Sequence, residues 1–302
     1  MNTKWKISKC LMWAALFVGA SSSPAQYGPN PAVNYMVPNY AYSPPLRKFV
    51  DSLPGTGPAG TNNLGNFISV AKGLTDPTGH GDDYYEIGLN DYFWKFHSDL
   101  PPTKVRGYRD LNPTADGTNH YLGPIIVATR NKPVRLKFTN QLGVNGAGNS
   151  FLPVDTTVMG AGMGPKGMHP PVGGMNYSEN RACIHLHGGF TPWISDGTPH
   201  QWITPAGEIT SYTNGMSLVN VPDMATPARG STTLYYPNQQ SSRLMFYHDH
   251  TYGMTRLNVY AGEAAGYLLR ICTDRHPYLA YWLCFTLSIP GFSEWQFSRP
   301  PH

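Results

Sequence analysis

The sequence predicts an all-β, turn-rich protein, and three observations carry that reading. The 302 residues include 32 glycines and 28 prolines, residue types that helix interiors exclude. Charged residues make up 13%, about half the usual quarter, which fits neither a charged helical bundle nor a solvated disordered chain. Aromatic residues also reach 13%, enough to bury the core of one large domain or two small ones.

The first element reads as an export signal. Lys4, Lys6 and Lys9 precede an apolar run from Cys10 to Ala20, followed by small residues at Ser23 and Ala25. This order predicts a secretory signal over residues 1–25, cut after Ala25, and a periplasmic or extracellular destination. The apolar run is too short to cross a bilayer. Cys10 sits inside that run rather than at a processing site, which argues against a lipid anchor. Cleavage removes three lysines and no acids, so the formal charge falls from +4 to +1. Such a balance offers no electrostatic case for nucleic acid or for an anionic membrane. Cys183, Cys272 and Cys284 remain, which allows one disulfide but no disulfide framework.

Residues 26–80 are rich in Pro, Gly, Asn and Tyr, and read as an extended segment that wraps a body rather than folding alone. The body is expected over residues 81–270. Tyr85–Leu89 alternates in the manner of a half-buried strand. Residues 123–128 form a second β run, Asn131-Lys132-Pro133 a turn, and Val134–Thr139 a third run. In the last, Val134, Leu136 and Phe138 face one way and Arg135, Lys137 and Thr139 the other. No window of comparable length shows helical periodicity. Residues 145–180 make a long loop holding Met159, Met163, Met168 and Met175. Thioethers suit Cu(I), but irregularly spaced methionines also fill gaps beneath long loops, and the spacing here favours the latter.

The chemistry lies in two His-X-His pairs, His185-Leu186-His187 and His248-Asp249-His250. On a strand, positions i and i+2 share a face, so each pair aims two imidazoles at one place. On a helix the same spacing does not converge. In the first strand Ala182, Ile184 and Leu186 are expected to face the core, and Cys183, His185 and His187 the site. Gly188 and Gly189 are expected to allow close backbone approach beside a metal. One pair alone reads equally as a half-exposed strand with two histidines. Two pairs, with no carboxylate or thiolate at matching spacing, point to copper or zinc before calcium or magnesium. The other seven, His80, His97, His120, His169, His200, His276 and His302, are expected to be structural or at the surface.

Four segments together carry a resemblance: His185–Gly189, Thr191–His200 with Ser195-Asp196-Gly197 inside it, Tyr247–His250 and Asn258–Gly262. They resemble the multicopper oxidases, with bacterial laccase and bilirubin-oxidase types nearest in pattern, over roughly residues 28 to 269. The resemblance implies cupredoxin-like Greek-key β-sandwiches, in agreement with the all-β reading. It also implies oxidation of a small reducing substrate, such as a phenol, pigment or metal ion, with O2 reduced to water at copper. By position, His185 resembles a type 2 copper ligand, and His187, His248 and His250 resemble type 3 ligands. Asp196 resembles an acid beside the cluster that moves protons to reduced oxygen; as part of Ser-Asp-Gly it reads equally as a turn residue. Asp249 is expected to point to the opposite face and to act structurally.

The family's second motif set is missing. No cysteine lies between two histidines, and after His250 only His276 and His302 remain. Half of the cluster ligands and no electron-entry copper are therefore expected, with the remainder supplied by C-terminal cupredoxin domains or an oligomer partner. Residues 271–302 depart from the family pattern and read as the tail of a truncation or frameshift. The expected function is an incomplete oxidase with little activity alone; the alternative is an exported copper-handling module without oxidase turnover.

Overall fold

A computed structural model describes residues 46–164 and 176–271. The expected signal 1–25, the start of the 26–80 segment, Met168, His169, Met175 and the tail from Cys272 lie outside the described residues. Two four-stranded sheets make up the body. In the first, β1 (Asp83–Trp94), β2 (Thr103–Asp110), β4 (Val134–Asn140) and β6 (Ser231–Tyr236) lie in the order β2-β1-β4-β6. In the second, β3 (Ile126–Thr129), β5 (Ile184–His187), β7 (Arg243–Asp249) and β8 (Ala264–Arg270) lie in the order β3-β8-β7-β5. Each sheet has one parallel pair, β1 with β4 and β3 with β8. The remaining pairs are antiparallel.

One core joins the sheets. Ile87, Leu89, Leu136, Phe138 and Leu234 from the first pack with Ile126, Ile184, Leu186, Tyr247, Tyr267 and Leu269 from the second. Full burial of a side chain of this size contributes about 1.5–3 kcal/mol, so a shared core of this extent holds the two layers face to face. The all-β sandwich expected from composition is thus the observed architecture.

Two local expectations meet a covered outer face. Val134, Leu136 and Phe138 are fully buried, as the alternation predicts. Arg135, on the opposite face of β4, is buried as well. Its guanidinium donates to Asp82 at 2.7 Å and to both oxygens of Asp223 at 2.8 Å, and lies over the Tyr235 ring. A second small cluster of Tyr84, Val221 and Met224, with Leu74 and Tyr235, lies on that side. Strand alternation reports two faces; it does not report that loops cover the outer one. The turn at Asn131 also does not close a hairpin, because β3 and β4 belong to different sheets.

Residues 46–80 follow the body through short bridges, Val70 with Ile125 and Leu74 with Tyr84. Among the described residues one α-helix, α1 (Thr255–Ala261), follows β7. With two turns at most and only Asn258 and Ala261 buried, it has no apolar stripe to register as helical periodicity. No helix of the described residues is long and apolar enough to cross a membrane.

Candidate metal centre

The site grows from the pairing of β5 with β7. Ile184 and Leu186 turn into the core from β5, as do Met245 and Tyr247 from β7, leaving the histidines on the other face. The antiparallel register sets His185 directly opposite His248, and His187 opposite Phe246. Ligand nitrogens of His185, His187 and His248 all lie within 4.8 Å of one another. His250, one residue past β7, stacks on His185 with ring centroids 4.6 Å apart and lies 5.7 Å from His248. The four histidines named from sequence therefore converge at one sheet face. Cys183 does not join them: its thiol is buried against the Thr198 carbonyl, and burial raises its pKa well above the ordinary value.

Hydrogen bonds orient the rings. His185 Nδ1 donates to the Asp196 carbonyl oxygen at 2.5 Å, and His248 Nδ1 donates to the Asp249 carbonyl oxygen at 2.7 Å. Spending Nδ1 on a carbonyl fixes the tautomer and leaves Nε2 as the lone-pair donor. His187 Nδ1 and His248 Nε2 sit 3.2 Å apart. His250 Nδ1 is buried without a hydrogen-bond partner. Burial lowers the pKa of both His248 and His250, and the neighbouring imidazoles lower it further. Both effects favour neutral rings, the form that binds a metal.

The Asp249 carboxylate supports the end of β7 from the opposite, buried face. It accepts from the Cys183 N–H, from the Thr251 N–H and hydroxyl, and from Asn258 Nδ2 of α1, at 2.7–3.1 Å. Asn258 Nδ2 also donates to the Arg181 carbonyl. The Arg181 guanidinium is buried between the Tyr177 and Trp202 rings, 4.4 and 4.9 Å from their centroids. It donates to the carbonyls of Ser178, Gly160 and Tyr252, and burial pushes its pKa down to about 10. These buried groups lock the strand that carries His248 and His250 to the loops beside it.

A family model finds no match to the chain. Curated relatives do, among them three laccases. The chain is 36% identical to a laccase of Bacillus stratosphericus over 224 residues, which is 74% of this chain and 33% of that protein. It is 31% identical to a laccase of Bacillus subtilis over 224 residues, again 74% of this chain and 34% of that protein. It is 30% identical to a laccase of Haloferax volcanii over 78% of this chain and 33% of that protein. The chain belongs to the multicopper oxidase family. It spans about a third of the length of these relatives. Solved structures of the family also overlap it, among them multicopper oxidases from Pediococcus acidilactici (TM-score 0.41, 16% identity, 68% of this chain and 29% of that one) and Campylobacter jejuni (TM-score 0.39, 14% identity, 68% and 29%).

The donor set fits the copper that a multicopper oxidase holds. The converging groups are all imidazoles, which suit copper, with two tautomers already fixed for ligation and one buried nitrogen unpartnered. Asp196 stands at the end of the Trp193–Ser195 turn. Its Oδ1 accepts from the Thr191 hydroxyl at 2.7 Å and lies 3.8 Å from His185 Nδ1, with its side chain 38% exposed. It is thus both a turn residue and a carboxylate beside a candidate ligand.

The close approach expected at the two glycines holds at Gly189, where a Cβ would lie 2.7 Å from the Leu186 side chain, and is corrected at Gly188. A Cβ at Gly188 would meet nothing within 4 Å; its φ of +81° is what calls for glycine as the chain leaves β5. A tighter approach is at Gly197, with φ +68°, where a Cβ would collide with the Ile184 carbonyl. That contact lets the turn reach over β5 so that Asp196 can meet His185. Phe246 and Arg181 escaped the sequence reading, while Gly197 was read only as part of the Ser-Asp-Gly turn. Phe246 left a signal, since it lies two residues before His248 and shares its face.

Proposed function

We propose that His185, His187, His248 and His250 bind copper as the part of a multicopper oxidase cluster that one cupredoxin-like unit contributes. In the complete site, electrons from a small reducing substrate and four protons would convert O2 to two waters. Copper supplies the one-electron redox chemistry. The chain's own residues bind and orient: Asp196 fixes His185 through its carbonyl, and Asp249 fixes the end of β7 through its carboxylate. The Asp196 carboxylate, between His185 and solvent, would move protons at Oδ1. The missing ligands and the electron-entry copper would come from further cupredoxin domains or a second chain, so this chain alone would turn over little O2. Export, expected from the first 25 residues, would place the site where copper is acquired outside the cytoplasm.

The observation that carries this reading is the mutual approach of three imidazoles within 4.8 Å. The test is copper stoichiometry on pure mature protein together with its visible spectrum. About one copper per chain without an intense blue band supports a partial site. Failure to retain copper overturns the reading, and three or four coppers with a blue band would mean that another chain completes the site.

A further inference from the structure

Phe246 occupies a place that neither the core nor the ligand set explains. It stands on β7 directly across from His187 on β5 and two residues before His248. Its ring is 45% exposed, so it adds little to the buried core. Its aromatic contacts are both with candidate ligands. The ring lies nearly parallel to His187, 14° apart with centroids at 4.7 Å. It lies 29° from His248 with centroids at 5.3 Å. Both separations fall in the range of offset aromatic stacking.

His187 most needs such a support. His185 and His248 each have a backbone carbonyl that fixes Nδ1, whereas His187 is exposed and its Nδ1 meets another candidate ligand, His248 Nε2, at 3.2 Å. That contact would be lost once copper took up the His248 Nε2 lone pair, and an exposed imidazole freed of it would sample several χ2 orientations. A flat ring stacked on one face removes most of those orientations without competing for the ring nitrogens.

We propose that Phe246 is a positioning residue that holds the His187 and His248 rings in the orientation that receives copper. The proposal rests on the reading of these histidines as copper ligands. Ring orientation in the metal-free protein and copper affinity are separable measurements, so the two ideas can fail independently. Three proteins are compared: the parent, Phe246→Leu and Phe246→Tyr. In metal-free protein, the His187 ring protons should be displaced upfield by the stack, return toward free-histidine positions in the leucine variant, and stay displaced in the tyrosine variant. With Cu(II) added, the leucine variant should bind about 3- to 10-fold more weakly with an altered EPR hyperfine pattern, while the tyrosine variant stays within about 2-fold of the parent. A thermal midpoint close to the parent's is expected for both, given the exposed ring. Unchanged ring shifts and copper affinity in the leucine variant would overturn the proposal, as would a tyrosine variant as impaired as the leucine one. If the parent binds no copper, the ligand reading falls, and unchanged ring shifts then overturn the positioning role on their own.

Discussion

His185 and His248 are direct cross-strand partners on β5 and β7, with ring centroids 5.5 Å apart. Two motifs about sixty residues apart in sequence meet because antiparallel register leaves them nowhere else to go. Facing residues on one side of such a pair are the closest neighbours a sheet provides. Replacing either histidine with alanine should lower copper affinity by at least about tenfold while leaving the sandwich folded. Equilibrium dialysis with copper, alongside circular dichroism, checks this; parent-like loading in both variants would remove the two residues from the site.

Gly197 should tolerate no side chain. Its φ is +68° and a Cβ would run into the Ile184 carbonyl. Gly197→Ala is expected to cost about 2 kcal/mol or more, and to pull the Asp196 carbonyl off His185. Chemical denaturation gives the stability, and the His185 imidazole nitrogen shifts report the tautomer. Gly188→Ala, strained in φ but free of contacts, should be the milder of the two.

Truncation of Asp249 should be severe. Asp249→Ala leaves the Cys183 N–H, both Thr251 donors and Asn258 Nδ2 without their acceptor in a fully buried place. A loss of about 3–5 kcal/mol is expected. A fall of less than about 1 kcal/mol in urea denaturation would show that the network does not anchor β7.

Glu263 makes stability depend on pH. It is fully buried at the start of the approach to β8, with both carboxylate oxygens unpartnered. Arg106 Nε lies 3.9 Å away on β2, but it already serves Asp91 of β1 at 2.8 Å. Burial raises the Glu263 pKa well above the ordinary carboxyl value; Asp249 on β7 and Asp91 raise it further, and Arg106 offsets part of this. The folded state therefore keeps a proton that the unfolded chain releases. Its stabilising effect is complete below the unfolded pKa and is lost as pH rises toward the folded one. Glu263→Gln should flatten that decline between pH 5 and pH 8, and Glu263→Leu should add about 1–3 kcal/mol at neutral pH by removing the unpartnered oxygens. Denaturant midpoints across that range decide it: parallel profiles for parent and glutamine variant would mean that Glu263 ionises alike in both states.

Much of the site was legible because strand geometry is short-ranged. The i, i+2 spacing of His185 and His187, and of His248 and His250, depends only on local backbone alternation. The apolar Ile184, Leu186 and Tyr247 between and beside them mark the inward face. Cys183 was misread for the same reason: alternation gives its face correctly but not the Thr198 segment that covers it. The face of Arg135 was legible, but its burial was not, since its partners Asp82 and Asp223 come from loops far apart in sequence. The helix α1 was missed because two polar-facing turns carry no periodic apolar signal.

The sequence by itself determined the all-β class, the faces of the strands and the imidazole chemistry, since composition and a two-residue period act locally. Only the tertiary structure decided that β5 and β7 are neighbours in a register that faces His185 with His248. It also decided that the Gly197 turn brings the Asp196 carbonyl to His185, and that Phe246 stacks on His187 and His248. Those relations arise where separate segments pack together, and packing follows from how the whole chain fills its core rather than from any one stretch of it.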